Sequence, residues 1–414
     1  MGVKERRQNI LKAMDKDSYM VLFAGQAVNI SSDTYHPFKP NTNFFYLTDI
    51  INRHSLVLVL DSHGEGNEIL FIPRIDPFVE KWNGKQLKVE EAKEITGISD
   101  IRFLDQLDMY LHMIFNTEDP VCYFDLYQPR VDDLLKSYNY IKANMLKEKY
   151  PQLTLKNAWP LIAYERMAKD EAEIEKLKTS IDITKKALEY VMSTVKPGML
   201  ESQVQANFEY MIHYNGADEV SFDTIAGSGY NGTMLHYHAN NCVCNDNELI
   251  LLDLGARKDG YCADITRTYP INGKFTPRQK QIYDIVLKAN RTVLQEAKPG
   301  MSTTDLNDIC KRVLAQGCKE IGLIKEDKEL FKYYMHGVSH HLGIDTHDVN
   351  TGRNAPLRPG SVVSDEPGLY IEEESIGIRI EDDIMITEDG AICLSADIIR
   401  TTEEIEDFMA KNNK

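Results

Sequence analysis

The sequence has no apolar stretch long enough to cross a membrane. Its longest apolar runs, such as LVLVL at residues 56–60, have the length of a β-strand, whereas a membrane-spanning helix needs about 18 apolar residues. The N-terminal segment MGVKERRQNILKAMDKDSYM is charged and amphipathic, and it lacks the apolar centre of a signal peptide. Hydrophobic residues make up 43% and charged residues 27% of the chain, as in an ordinary globular protein. These features predict a cytoplasmic protein that does not bind membranes.

Positive charge is scarce as well. The chain has 47 Lys and Arg residues against 64 Asp and Glu residues, and its formal net charge is −17. Because a phosphate backbone requires a basic protein face, this balance argues against nucleic acids and anionic membrane surfaces as partners.

Cysteine is sparse and irregularly spaced. The seven cysteines are odd in number and scattered, which is not the pattern of a disulfide framework. Cys242 and Cys244 form a single CxC pair, but no second pair lies nearby to complete a metal site. We therefore expect these two residues to be packing thiols.

The length of 414 residues predicts two or three domains. Residues 55–75 have the pattern of a hairpin, VCYFDL at 121–126 that of a strand, and residues 132–150 that of a helix. This alternation favours an N-terminal α/β domain over residues 1–165. A long helical pattern follows, and the second domain is predicted to span residues 166–414.

The second domain contains an internal repeat. The segment IDITKKALEYVMSTVKPGM at 181–199 aligns with YDIVLKANRTVLQEAKPGM at 283–301, at an offset of 102 residues. Each copy continues into a second helical pattern and then into strand-rich sequence. A duplicated helix–helix–strand unit around a pseudo-twofold axis would account for both copies and would leave a cleft between the halves.

Four of the eleven histidines lie within the thirteen residues HGVSHHLGIDTHD at 336–348. Such crowding suggests chemistry, because histidine is the side chain that titrates near neutral pH. The spacing of His336 and His340 resembles the HExxH zinc motif, but Gly337 occupies the place of the glutamate that acts there as general base. The glycines in HGVSHHLG also argue against a helix.

Two carboxylates are predicted to face each other in the hairpin ELILLDLGARKDGYCADITRTYP at 248–270. A four-residue loop at 257–260 would place Asp253 directly opposite Asp264. Like charges paired across strands are unfavourable, and Asp253 lies in an apolar run, so a cation is expected to compensate. The alternative is that one of the two aspartates is a solvated turn residue.

A second hairpin, at residues 360–387, is predicted to repeat this arrangement. A turn at 372–375 would place Glu366 opposite Glu381, and strand alternation would send Asp365 and Asp382 to the other face; the alternative is a bulge at Pro367-Gly368 that shifts this register. The EEE run within the turn is expected to be solvated. Four carboxylates carry a charge of −4, which two divalent ions neutralise and one does not. Oxygen ligands favour manganese, magnesium or calcium over zinc, and one added imidazole shifts the preference to manganese, iron or cobalt.

The motifs DLGARKDGYCADITRT, HGVSHHLGIDTHD, DEPGLY and GIRIEDD, in this order, resemble those of the proline-specific metallopeptidases with the pita-bread fold. This is the aminopeptidase P (Xaa-Pro aminopeptidase) family, which also includes prolidase. The resemblance covers essentially the whole chain, since NISSDTYHPFKPNTNFFYLTDI is similar to the start of the family's N-terminal domain. It implies an α+β protein with an N-terminal α/β domain and a C-terminal pita-bread domain of two pseudo-twofold halves.

By matching position, the resemblance also implies the site residues. The five metal ligands would be Asp253, Asp264, His340, Glu366 and Glu381. The residues that contact substrate or support the site would be His236, His336, His347, Arg379 and Tyr370, and Asp33 and Trp82 of the N-terminal domain. His341 is expected to be a packing residue, and His213 and His238 match no motif. Close relatives often have a charged residue where this sequence has Trp159. The loss of that charge is expected to change the entrance to the pocket and its subsite preference.

The implied activity is hydrolysis of the Xaa-Pro bond, releasing the N-terminal residue of peptides with proline in second position. Two divalent ions are implied as cofactors, manganese first and cobalt or zinc as alternatives. Glu366 would be the general base and acid, and His236 and His347 would bind substrate carbonyls. The alternatives are a prolidase that cleaves Xaa-Pro dipeptides only and a non-catalytic binding protein of the same fold. Relatives further imply a homo-oligomer, either a dimer or a tetramer.

Overall fold

The computed structural model describes residues 2–128, 130, 132 and 136–412. These residues form two compact units, Met1–Arg166 and Met167–Lys414, each with its own helices and sheets. In the described part of the chain, no helix combines the length and the apolar character needed to cross a membrane.

The N-terminal unit is built on one mixed sheet with helices packed against it. Its helices are α1 (Val3–Ala13), α2 (Thr42–Thr48), α3 (Pro77–Asn83), α4 (Val89–Thr96), α5 (Leu107–Phe115), α6 (Tyr138–Lys149) and α7 (Trp159–Arg166). Its strands are β1 (Tyr19–Phe23), β2 (Asn29–Ser31), β3 (Thr34–Tyr35), β4 (Val57–Asp61), β5 (Asn67–Ile72), β6 (Asp100–Phe103), β7 (Val121–Phe124) and β8 (Thr154–Asn157).

The six-stranded sheet has the order β6-β5-β4-β1-β7-β8. Strands β4 and β5 form the antiparallel hairpin predicted for residues 55–75, and β7 is the strand predicted at 121–126. The helix predicted over 132–150 is α6, which begins at Tyr138, and residues 133–135 of that prediction lie outside the described residues. The sheet buries Val21, Val59 and Phe71, because alternate side chains of these strands point into the same core.

The C-terminal unit begins with a long helix and alternates helix pairs with strands. Its helices are α8 (Glu171–Thr194), α9 (Glu201–Tyr214), α10 (Pro277–Glu296), α11 (Thr303–Glu320) and α12 (Thr402–Asn412). Its strands are β9 (Glu219–Val220), β10 (Ile225–Ser228), β11 (Leu249–Leu254), β12 (Ala256–Lys258), β13 (Tyr261–Cys262), β14 (Ile265–Pro270), β15 (Val362–Asp365), β16 (Gly368–Ile371), β17 (Ile376–Arg379), β18 (Asp382–Ile386) and β19 (Ala391–Cys393).

The predicted repeat is present in the helices. An offset of 102 carries the last residue of α8, Thr194, onto the last residue of α10, Glu296, and the start of α9 onto the start of α11. Between the helices of each pair, the glycine of the KPGM motif has a positive φ, 91° at Gly198 and 89° at Gly300. Glycine adopts this left-handed conformation without steric cost, so both pairs reverse direction in the same way.

The first hairpin differs from its predicted register. Strands β11 and β14 pair Asp253 with Thr266, and β12 pairs Lys258 with Tyr261, so the turn has two residues rather than four. Asp259 and Gly260 both have positive φ. A two-residue turn needs this conformation if its twist is to match the twist of the strands that it joins. The prediction that Asp253 lies directly opposite Asp264 was therefore wrong. The shift is two residues, and because strand side chains alternate with a period of two, both aspartates still belong to the same face.

The second hairpin has the predicted register. Gly368 pairs with Arg379 and Ile371 with Ile376, and Val362 pairs with Met385 in the adjoining sheet. The turn at Glu372–Glu374 is exposed, as expected for the EEE run. The segment HGVSHHLG forms no helix and runs extended, with His341 bridged to Val363.

Candidate metal centre

Most of the predicted site residues meet at one cavity of about 730 Å³ in the C-terminal unit. The predicted residues that line it are His236, Asp253, Asp264, His336, His340, His347, Glu366, Arg379 and Glu381. They come from both halves of the repeat: the two aspartates belong to the first hairpin, and the two glutamates belong to the second. The cleft expected between the halves is therefore where these side chains converge.

Three of the five predicted metal ligands lie close enough to share an ion. Asp264, His340 and Glu381 each offer a ligand atom, and these atoms all lie within 4.8 Å of one another. His340 Nε2 lies 3.3 Å from Asp264 Oδ2 and 3.6 Å from Glu366 Oε1. Asp253, from strand β11, lines the same cavity, and its Oδ1 is buried with no hydrogen-bond partner among the described residues. A buried oxygen of this kind is costly unless it binds a cation.

The orientation of His340 is fixed by its surroundings. Its Nδ1 lies 3.0 Å from the carbonyl oxygen of His341, and a carbonyl can only accept, so Nδ1 carries the proton. Its backbone N–H donates to the Ser364 hydroxyl at 3.0 Å. These contacts turn Nε2 toward Asp264 and Glu366; in the metal-free protein it bonds to Asp264, and once deprotonated it offers a lone pair to a cation at the same place.

Arg379 connects the two hairpins. Its guanidinium donates to Asp253, to the Thr266 hydroxyl at 3.0 Å and to the Tyr370 hydroxyl at 3.0 Å. The Thr266 hydroxyl in turn donates to Glu381 at 2.6 Å. Because Arg379 is buried, solvent screens its charge only weakly. That charge therefore offsets part of the negative charge of the carboxylates.

The sequence did not single out Thr266, although it lies in the DITRT motif. Its role follows from the register of the first hairpin, which places it opposite Asp253. Asp383 was also missed as a support: its carboxylate accepts from the backbone N–H of Asp264 at 3.3 Å. Gly255 explains the close approach of the strands, because a Cβ there would lie 1.8 Å from the Ala263 carbonyl oxygen.

In the metal-free protein, three of the carboxylates have raised pKa values. Burial raises the pKa of Asp264 to about 6 and that of Glu366 to about 7, and repulsion from neighbouring carboxylates adds to both. Burial, together with Asp264 and Glu366, also raises the pKa of Glu381 well above its usual range. Burial and repulsion between the carboxylates both disfavour their charged forms, and a bound cation would offset both.

The histidines of the cavity divide into two kinds. Burial alone would lower the pKa of His340, but its hydrogen bond to Asp264 and the charge of Glu366 outweigh burial and raise that pKa to about 9. The charge of His340 lowers the pKa of His347 to about 4, and the two rings lie 4.1 Å apart. Burial lowers the pKa of His336 to about 4. The last two imidazoles are therefore neutral at pH 7 and can each donate one hydrogen bond and accept another.

The remaining predicted residues lie elsewhere. Tyr370 is buried, and its hydroxyl lies 2.8 Å from His336 Nε2. Asp33 and Trp82 belong to the N-terminal unit, where both side chains are exposed. His341 is buried and neither ring nitrogen has a hydrogen-bond partner, as expected of a packing residue. His238, which matched no motif, also lines the cavity.

The residues fit a centre for divalent ions. The site offers four carboxylates and one imidazole whose Nε2 points at two of them, and Asp253, which has one buried oxygen with no hydrogen-bond partner among the described residues, lines the same cavity. Oxygen-rich sets with one nitrogen suit manganese, iron or cobalt. A pita-bread fold that carries such a centre is that of a metallopeptidase.

The comparisons with known proteins agree with this class. The chain matches the model of metallopeptidase family M24 over residues 175–388 and that of the aminopeptidase P N-terminal domain over residues 3–123. It is 33% identical to the Xaa-Pro aminopeptidase of Escherichia coli strain K12, over 99% of this chain and 98% of that protein.

Solved structures of related proteins are also similar to this chain over its whole length. A Bacillus anthracis protein provisionally described as aminopeptidase P gives a TM-score of 0.96 at 44% identity and covers 99% of this chain and 98% of its own. Zinc-substituted E. coli aminopeptidase P in complex with product gives a TM-score of 0.89 at 34% identity, with 100% and 98% covered. The chain belongs to metallopeptidase family M24, in the group that carries the aminopeptidase P N-terminal domain. The family resemblance and the α+β fold class predicted from the motifs are thereby confirmed.

The raised pKa values predict how pH affects the metal-free protein. Between pH 6.5 and about 9, folded His340 and the raised carboxylates keep protons that the unfolded chain releases, so the stability of the fold decreases as pH rises. His336 and His347 oppose this trend only below their ordinary value of 6.5. We expect the Tm of metal-free protein to fall by about 5 °C between pH 6.5 and 8.5.

Calorimetry with and without two equivalents of Mn²⁺ measures this effect. Bound metal should remove the decrease, because cations replace the protons, and Glu381→Gln should flatten it in the metal-free protein. A decrease of the same size in loaded and metal-free protein would show that the cluster is not its source.

Proposed function

We propose that the protein is a metal-dependent aminopeptidase that hydrolyses the bond between an N-terminal residue and a following proline. The observation that carries the proposal is the cluster of Asp264, His340 and Glu381 ligand atoms beside a cavity of peptide size, in a chain that belongs to family M24. Peptides with proline in second position are the substrate class, as the names of the relatives state for those proteins.

The five residues that would hold the metals are Asp253, Asp264, His340, Glu366 and Glu381. Two divalent ions, when bound, supply a water whose pKa is low enough for it to act as nucleophile at neutral pH. Manganese is our first choice, because hard oxygen ligands outnumber nitrogen four to one, and cobalt or zinc are the alternatives.

Glu366 is the residue placed to move protons. Its Oε1 lies 3.6 Å from His340 Nε2, and its Oε2 lies 3.7 Å from His336 Nδ1, so the carboxylate faces the interior of the cavity. Burial raises its pKa to about 7 in the metal-free protein, which favours uptake of a proton. It takes the proton of the nucleophilic water and passes it to the prolyl nitrogen. That nitrogen must be protonated to leave, because it belongs to a tertiary amide.

Two histidines of the cavity bind the substrate carbonyls. His236 and His347 both line the cavity, and both can donate to a carbonyl oxygen or to the oxyanion that forms from it. His336 and Arg379 act through other residues: they hold the Tyr370 hydroxyl between them at 2.8 and 3.0 Å, and Arg379 also holds Asp253. The free α-amine of the substrate binds beside Asp253, which restricts cleavage to the first residue.

Prolidase activity is the second candidate, because it needs the same centre. The two activities differ in whether the cavity admits a chain beyond proline. We expect Mn²⁺-loaded protein to release the first residue from Xaa-Pro-Yaa tripeptides, because the cavity of about 730 Å³ has room for three residues. Chromatography of the products with Mn²⁺ and with chelator measures this, and a Xaa-Ala-Yaa peptide is the matched control. Cleavage of Xaa-Pro dipeptides alone would identify a prolidase.

The role of Glu366 predicts a large loss on substitution. Glu366→Gln should lower kcat by about 10²- to 10⁴-fold, because the amide cannot accept the proton of the water. Metal content must be measured on the same sample, since Glu366 is also a proposed ligand, and Glu374→Gln in the exposed turn is the matched control. Near-normal turnover with two ions bound would exclude the general-base assignment. Protein that takes up no Mn²⁺, Co²⁺ or Zn²⁺ at all would instead indicate a non-catalytic binding protein.

The N-terminal domain, residues 1–165, is proposed to shape the pocket and to form a homo-oligomer, dimer or tetramer. Asp33 and Trp82 are its proposed contacts to substrate. Trp82 is 73% exposed in the single chain and its ring lies 6.1 Å from that of Phe78, which is 68% exposed, so the two form an aromatic patch available to substrate or to a second subunit.

Trp82→Ala should therefore lower kcat/KM by about tenfold, which corresponds to the loss of one aromatic contact of about 1.4 kcal/mol. Phe331→Ala is the matched control, because Phe331 is 75% exposed in the other unit. Light scattering on the same variants reports the oligomeric state. Equal effects of the two variants would argue against a specific role for Trp82.

A cytoplasmic location is part of the proposal, and cell fractionation would test it. All seven cysteines are free thiols, and five of them are buried. Free thiols persist in a reducing compartment, where disulfides are rare.

A further inference from the structure

A buried carboxylate that the proposed mechanism does not use lies beneath the segment that carries His236. Glu201 is the first residue of α9 and is fully buried. Its Oε1 accepts from the backbone N–H and hydroxyl of Ser228, both at 2.7 Å, and from the Asn231 amide at 3.0 Å. Its Oε2 accepts from the Tyr237 hydroxyl at 2.8 Å and from the backbone N–H of Cys242 at 2.9 Å.

All five donors belong to one segment, residues 228–242, which runs from the end of β10 towards β11. We call it the His236 segment. It contains a short 3-10 turn at Gly229–Thr233 and is otherwise irregular, so its own backbone hydrogen bonds do not fix its shape. The backbone N–H of Glu201 also donates to the Cys242 carbonyl at 2.9 Å. Glu201 thus ties both ends and the middle of this segment to the start of α9.

The carboxylate is ionised although it is buried. Burial by itself would raise the pKa of Glu201, but the hydrogen bonds from Asn231, Ser228 and Cys242 outweigh burial and lower it. Charge-assisted bonds are about twice as strong as neutral ones, and a buried charge is stable only when its acceptor positions are filled. The interaction therefore requires the particular conformation that brings five donors together.

That conformation decides which side chains reach the cavity. Tyr237 points into the unit, where its ring packs with Ile225, Leu251 and Tyr370 and its hydroxyl meets Glu201. Its neighbours His236 and His238 both line the cavity. Rotation of the segment that withdrew the Tyr237 hydroxyl from Glu201 would also withdraw His236.

We propose that Glu201 is a positioning residue whose carboxylate holds the His236 segment so that His236 faces the substrate. The inference rests on the proposed role of His236 as a substrate contact. Glu201 itself touches neither substrate nor metal ligands, and it acts through the hydrogen bonds to Ser228, Tyr237 and Cys242.

Glu201→Gln is the informative substitution because it preserves size and removes acceptors. Obligatory donors face both oxygens: the backbone N–H of Ser228 on one side and that of Cys242 on the other. A neutral amide has one acceptor oxygen and would direct its NH₂ group at one of these donors, leaving a buried N–H unpaired. Glu209→Gln on the same helix is the matched control, since Glu209 bonds to Gln205 and Thr224 rather than to the segment.

The test is a double-mutant cycle on metal-loaded protein with a Xaa-Pro-Yaa tripeptide. Glu201→Gln should lower kcat/KM by about 10- to 100-fold with the metal content unchanged, and Glu209→Gln should change it by less than about twofold. Adding Glu201→Gln to His236→Ala should lower kcat/KM by no more than about twofold further, because a residue that acts through His236 has no effect once His236 is gone. Amide hydrogen exchange across 228–242 should be faster in Glu201→Gln than in Glu209→Gln.

If Glu201→Gln and His236→Ala lowered kcat/KM independently, so that their effects multiplied in the double variant, the inference would be overturned. It would also be overturned if Glu201→Gln had the same kcat/KM and exchange rates as Glu209→Gln. If Glu201→Gln does not fold, Tyr237→Phe replaces it in the same cycle, because it removes one of the five donors and keeps the packed ring. Wild-type kcat/KM in His236→Ala would overturn the role of His236 and this inference, but would leave the peptidase assignment intact. A wild-type protein without activity would refute the proposed function, and the exchange rates alone would then support or overturn the anchoring.

Discussion

The mutual repulsion of carboxylates in one partly buried cluster is the constraint on which the rest of the site depends. Asp264 and Glu381 are buried, and Asp253 and Glu366 complete the cluster at the cavity. The raised pKa values of Asp264, Glu366 and Glu381 express the free energy needed to charge them where they are buried and close to one another. Such a cluster must be neutralised by bound protons or by added positive charge, and divalent cations supply that charge.

The surrounding network compensates part of that charge and fixes the geometry. Arg379 and Thr266 connect the two hairpins, and the same connection continues behind the site, where Arg267 is buried against Asp382. Each half of the repeat therefore supplies both proposed ligands and the groups that orient the proposed ligands of the other half. The centre exists only when the two halves are packed, which couples metal binding to the folded state of the whole unit.

The substrate side of the cavity is held by different means. His340 and its neighbours lie in an extended segment bonded to the edge of β15, whereas His236 lies in an irregular segment with few backbone bonds of its own. Irregular segments need side-chain partners to become rigid, and Glu201 provides them from the start of a helix. The proposed metal ligand His340 and the proposed substrate contact His236 are thus positioned by separate parts of the fold, whereas the second proposed substrate contact, His347, shares the segment of His340.

The sequence by itself determined the class of protein, the repeat and the four carboxylates. Local pattern was sufficient there: apolar residues around Asp253 and Glu366 indicated the cost of burying charge, and the KPGM repeat marked where the first helix of each pair ends and the second begins. The register of the second hairpin was predictable from its turn, but that of the first was not, because the choice between a two- and a four-residue turn depends on the positive φ of Asp259. Only the tertiary structure decided that Thr266 rather than Asp264 faces Asp253, and that Glu201, 35 positions before His236 in the sequence, lies under its segment. Contacts between distant segments follow from how the halves pack, and no local periodicity encodes them.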